Sequence, residues 1–259
     1  MRYRTLKDWQ DENSPTKAEE ILIAAMQAKV WEPCHLNDGD LPDDDDPAHT
    51  IRADLLALLI TGGSEACGLS PFGVPLIGAF IKGELRLTHM RAKGDTGLIN
   101  CRFETAPNLR QARFQVLSLI GSHLPGLNAQ GVSVAASLRM DSITATGTVD
   151  MGGARIGGQL NFDGATLDGK DGNVLNMQRS IVGAALIWRR VTVQAVRVSL
   201  ASAKVGDLWD DPQNWPQDLD LDGLTYDRLF NTSTRAKDRM AMLKQGSTFE
   251  GQFTPQPYT

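Results

Sequence analysis

The chain has 259 residues, 41% of them apolar, enough to bury a core in one large domain or two small ones. No apolar run approaches the roughly 18 residues of a membrane span, and the polar N-terminus, MRYRTLKDWQDEN, lacks the apolar stretch of a signal peptide, so a cytoplasmic protein is expected. The net charge of −5 is unevenly placed: residues 1–60 carry 6 Lys/Arg and 13 Asp/Glu, residues 61–259 carry 20 and 18, and so near-neutral a bulk argues against a nucleic-acid binder.

Residues 1–78 read as a helical N-terminal cap with an acidic loop. A helix is predicted from Ser14 to Val30, because Thr16 and Glu19 stand at capping-box spacing and Pro15 suits a helix start. Ile21, Leu22, Ala25 and Met26 form its expected apolar face. Glu32–Ala48, with prolines, a glycine and the run Asp43–Asp46, is expected to be an exposed loop. A second helix, Thr50–Thr61, is predicted to start at a capping threonine, run through LLALLI and stop at Gly62 and Gly63. Helices this apolar need a surface to cover, and the open first coil of a solenoid would supply one.

From residue 79 to 229 inward-type residues return in pairs every five positions. Leu127/Ala129, Val132/Val134, Leu138/Met140 and Ile143/Ala145 show the beat; it continues through Leu186/Trp188, Val191/Val193, Val196/Val198, Ala201/Ala203 and Gly206/Leu208. Each pair brackets one outward residue and is followed by two turn residues. That spacing is a short strand and a corner, repeated. The fold expected is mostly β: a right-handed four-sided parallel β-helix, a pentapeptide-repeat-like solenoid of about six coils counted from Ala79 to Leu208. Weak steps at Ala106/Asn108 and Lys170/Gly172 mark bulging corners or short loops. Aromatics at 6% and 25 glycines suit a narrow lumen with many corners. Residues 230–259 are expected to form a short C-terminal helix, Ser233–Gln245, with an extended tail. Ala236, Met240 and Leu243 would close the far end of the rod.

LSLIGSHLPGLNAQG (117–131), GGARIGGQLNFDGATLDG (152–169), VGDLWDDPQNWPQDLDLDGLTYDRL (205–229) and TPQPY (254–258) resemble a family of bacterial pentapeptide-repeat-like proteins. The resemblance covers most of the chain from Ile51 onward. It implies a β-helix, and many members carry the label oxidoreductase or membrane-associated oxidoreductase, without catalytic residues to carry over. It also implies a helical region beyond the QPY segment in relatives.

The residues themselves nominate no catalytic, cofactor-binding or metal site. No GxGxxG spacing is present, and Gly152, Gly153, Gly157 and Gly158 fall at corners, where glycine needs no further explanation. His35, His49, His89 and His123 stand far apart, and Cys34, Cys67 and Cys101 form no CxxC. Adjacent Cys34 and His35, with Asp38 and Asp40, match no zinc pattern. The exposed feature that stands out comes from stacking the coils: one outward column is expected to read Arg91, Arg113, Ser133, Arg155, Asn176, Arg197. Four aligned arginines would bind carboxylates or phosphates unless acids at adjacent corners, such as Asp95 or Asp163, neutralise them.

Three functions compete. A non-catalytic scaffold or protein–protein interaction module with an unidentified protein partner fits a rigid repeat surface with no assembled constellation. An enzyme, following the oxidoreductase label, would need a site the sequence does not show. A DNA-mimicking or nucleic-acid-binding rod would need a strong charge of one sign. The expected state is a monomer, or a side-by-side dimer along outward Ile181 and Ile187 with Trp209 and Trp215 nearby.

Overall fold

The computed structural model describes residues 3–28, 32–63, 72–169, 172–194, 197–230, 236–245, 248–249 and 252–253. Cys67, Lys170, Val196, Ser233, Gly246 and the TPQPY segment lie outside them. Through the middle of the rod each inward pair accompanies a strand of two residues. Val132/Val134, Leu138/Met140, Ile143/Ala145 and Val149/Met151 are all buried and belong to four successive strands. Each strand pairs in parallel with the one a coil away: Ser133 lies beside Arg113 and Arg155, and Thr144 beside His123 and Thr166. The chain is therefore a four-sided parallel β-solenoid of about seven turns. One face alone stacks seven strands, from Thr50–Arg52 to Thr192–Val193.

Four faces follow one another along the chain. The first carries Arg113–Phe114, Ser133–Val134 and Arg155–Ile156; the second carries Leu117–Ser118, Leu138–Arg139 and Leu160–Asn161. The third is the seven-stranded face, and the fourth carries Leu127–Asn128, Val149–Asp150, Asn173–Asn176, Arg197–Ser199 and Asp218–Asp220. First and second faces merge into one sheet because the strands Ile181–Trp188 and Lys204–Asp210 run straight through the corner between them. Glycine makes that passage fit. A Cβ on Gly157 would stand 2.2 Å from the Ala135 carbonyl oxygen, and one on Gly183 2.4 Å from that of Gly157.

The coil count exceeds the expected six because the solenoid begins ahead of Ala79. Cys34–His35, in the segment expected to be a loop, pairs with Leu76 and Ile77, and Thr50–Arg52 pairs with Phe80–Lys82. Thr50 is thus a strand residue and not a helix cap. Helix α3 (Ala53–Thr61) follows with no side-chain cap at Arg52 and ends on left-handed Gly62. Its apolar run is buried throughout, and its Ile60 carbonyl accepts the Lys93 N–H at 2.8 Å, as a preceding strand would.

Two more helices complete that end: α1 (Leu6–Glu12), which the sequence reading missed, and α2 (Lys17–Ala28). Thr16 and Glu19 form the expected capping box, each backbone N–H reaching the other's side chain. Leu22, Ile23 and Met26 are buried, whereas Ile21 is 43% exposed, so the apolar face is rotated from the one expected. Glu19 is fully buried and takes three hydrogen bonds from Arg52, whose guanidinium lies over the Trp9 ring. Burial alone would raise the Glu19 pKa, but these bonds outweigh it and hold the carboxyl below its ordinary value.

At the other end Trp215 folds back and stacks on Trp188 at 4.4 Å, which in turn meets Phe162 edge-on. Asp210, fully buried, accepts from Trp215 Nε1 and from two guanidinium nitrogens of Arg239 on helix α4 (Ala236–Gln245). This ion pair fixes the helix. Met240, expected to face the rod, is 48% exposed. Ile187 and Trp215, expected to lie on an outer apolar strip, are buried as well.

Candidate functional site

Register decides which outward residues share a column. On the first face Arg91 lies beside Arg113, Arg113 beside Ser133, and Ser133 beside Arg155, as the beat predicts. The column then continues through Ile181, Lys204 and Thr225. Asn176 and Arg197 do not belong to it. Asn176 sits on the fourth face between Asp150 and Ser199, and Arg197 lies beside Asp218. The loop near residue 170 lengthens its coil, and a register shift at Asn173/Leu175 follows it, so a count that keeps the five-residue step slips onto the wrong face. After the slip Val198/Leu200 and Ala203/Val205 point inward, not Ala201/Ala203.

Charge pairing separates the faces more sharply than register. Arg197 donates to Asp220 at 2.9 Å, Arg190 grips Asp163 with two nitrogens at 2.6 and 2.9 Å, and Arg228 grips Asp207 at 2.6 and 2.8 Å. Arg52, Arg86, Arg102, Arg139, Arg189 and Arg239 also stand within 4.0 Å of a carboxylate. Among the described residues Arg91, Arg110, Arg113, Arg155 and Arg179 have no such partner. Asp163, which could have neutralised the column, is committed to Arg190, whose hydrogen bonds hold its carboxyl below the ordinary value.

All five unpaired arginines lie on the first face or on the corner that leads into it from the fourth. Arg110 and Arg179 occupy that corner. Their chain neighbours Leu109, Ala112, Met177 and Ser180 are buried, which forces the two turn residues between them outward. Sequence reasoning missed this pair, although the turn positions of the five-residue beat would have supplied them. The corner is a groove of about 390 Å³ lined by Arg110, Gln130, Gly152, Gly153, Gln178 and Arg179, among others.

Groups suited to catalysis are restrained elsewhere. Burial pushes the Cys34 thiol up to about 11 and the Cys101 thiol up to about 12, which keeps both protonated and unreactive. Cys34 is buried in its strand and His35 exposed, so the two face opposite ways. Burial, with Arg102 nearby, lowers the His123 pKa. A second cleft, about 340 Å³, lies between α3 and the first coil and is lined by Asp54, Glu84, Arg86 and Thr88. Its Glu84 is held below its ordinary value chiefly by a hydrogen bond from Arg86, the opposite of what a general acid needs. Among the described residues no three His, Cys, Asp or Glu side chains converge as a metal set, and no helix is long and apolar enough to cross a membrane.

Comparison with protein-family models, with curated proteins and with solved structures finds no match.

Proposed function

We propose that this protein is a non-catalytic interaction module that presents its first face to an acidic partner. The observation that carries the reading is the segregation of its arginines: those on the other faces hold carboxylates of the same chain, whereas the five on this side hold none. Unpaired guanidinium groups on a rigid scaffold are ready to take bidentate carboxylates without first breaking an internal pair. The solenoid holds them in fixed relative positions, which limits the ordering cost of binding.

Affinity capture from the source cell tests this reading. The parent chain is expected to retain a specific partner that the Arg113→Glu/Arg155→Glu variant loses. A variant of paired arginines on other faces, Arg139→Ser/Arg190→Ser, should retain it. Capture that survives the charge reversal unchanged overturns the reading.

A further inference from the structure

We infer that the groove at the corner between the fourth and first faces binds an extended acidic peptide, reading two carboxylates four residues apart. The inference rests on the interaction-module reading and names its ligand. Arg110 and Arg179 mark the two ends of the groove: the register Asn108, Asn128, Asp150, Asn176 places three coil steps between their turns, with Arg179 one residue further along its turn than Arg110. At the usual strand spacing that is about 14 Å of backbone separation, while an extended peptide advances about 13 Å over four residues. Carboxylates at i and i+4 would therefore meet one arginine each.

The floor between the arginines is neutral and shaped by two glycines. The equivalent turns read Arg110–Gln111 two coils before, Gln130–Gly131 one coil before and Gln178–Arg179 one coil after, but here Gly152 and Gly153 together leave a notch, and a Cβ on Gly153 would meet nothing within 4 Å. Gln130 and Gln178 flank the notch, exposed; Gln130 Nε2 donates to Asp150 and Gln178 Nε2 to Ser199 at 3.3 Å, which leaves their amide oxygens to accept from the N–H groups of a peptide. Asp150, next to the notch, has both carboxylate oxygens engaged. Its Oδ1 accepts from Gly152 N–H at 3.1 Å and Asn176 Nδ2 at 3.0 Å, and its Oδ2 accepts from Gln130 Nε2 at 2.6 Å. Three donors on one carboxylate damp its repulsion of an anionic ligand.

Notch filling can be tested without breaking the fold. Gly153 has φ 68°, a left-handed value, yet Gln111 and Arg179 hold φ 55° and 56° at the equivalent turn position. Gly153→Gln therefore copies the residue found two coils before, Gln111.

The experiment measures fluorescence anisotropy of labelled, end-capped nonapeptides of Gly, Ser and Thr. One carries glutamates at the third and seventh residues, one at the third and fifth, and one has glutamines in place of the first peptide's glutamates. The i, i+4 peptide is expected to bind about tenfold or more tightly than the other two, the gain of a second charge-assisted contact. Arg110→Ser/Arg179→Ser and Gly153→Gln should each lose that binding while melting with the parent, and Arg139→Ser should keep it. Equal binding of the two acidic peptides, retention by the double serine variant, or tighter binding of a decathymidylate than of any peptide overturns the assignment. Should Arg113→Glu/Arg155→Glu lose the captured partner while no nonapeptide binds, the groove assignment fails and the module reading stands. If capture is indifferent to that reversal, the reading itself has failed.

Discussion

The second, third and fourth faces of the solenoid and its first face use the same residue in opposite ways. On the former an arginine is matched by an acid, commonly one coil away: Arg190 with Asp163, Arg197 with Asp220, Arg228 with Asp207. On the first face Arg91 and Arg113 stand side by side and Arg155 follows after Ser133, all without a carboxylate. Like charges on neighbouring strands are destabilising, by about 0.2–1 kcal/mol per pair. The difference teaches that charge on the second, third and fourth faces stabilises the coil, whereas charge on the first opposes it and meets no carboxylate among the described residues.

The contrast is sharpened first where pairing is deepest. Asp210→Ala leaves the Arg239 guanidinium and Trp215 Nε1 without their shared acceptor in a buried setting, and a loss of about 3–5 kcal/mol is expected in urea unfolding. Acid should weaken the same class of contact. Glu19, Asp163, Glu84 and Asp207 all sit below their ordinary pKa values, held there by arginine, with burial of Glu19 outweighed. A depressed carboxyl stabilises fully above its unfolded value and loses that contribution as pH falls through the folded one. Unfolding free energy should thus drop as pH falls below about 4, and Arg113→Ser/Arg155→Ser should track the parent curve, since guanidinium groups do not titrate there.

Smaller effects decide whether the contrast holds at the surface. Arg190→Ser breaks an exposed, solvent-screened bidentate pair and should lower the urea midpoint only slightly. Arg113→Ser should move stability the other way, upward by a few tenths of a kcal/mol, because it relieves repulsion from Arg91. A loss for Arg113→Ser as large as that for Arg190→Ser, read from paired urea curves, would erase the distinction between the faces.

Much of this architecture was legible in the chain because a narrow lumen imposes its period on every strand. Val132, Val134, Leu138 and Met140 are inward for that reason, and the Arg91, Arg113, Arg155 column followed directly. Period does not report loop length. The lengthened coil near residue 170 shifted everything after it and carried Arg197 to another face. Cys34–His35 and Thr50–Arg52 were hidden because strands of two or three residues separated by an insertion show no repetition. The unpaired state of the arginines was out of reach for a different reason: partners come from residues such as 163 for 190 or 207 for 228, and only the finished register brings them together.

Stacking of coils has a metrological consequence. Outward groups on any one column can be separated only by whole multiples of the strand spacing, about 4.8 Å, so the molecule is graduated like a ruler. Arg110 and Arg179, on adjacent columns, stand three graduations apart along the rod. One duplicated coil between Gln130 and Gly152 would add a fourth, leave every corner and lumen contact in kind, and lengthen the measured interval by one fixed step. On the peptide-groove proposal, selectivity would change by counting coils, with no need to reshape a pocket.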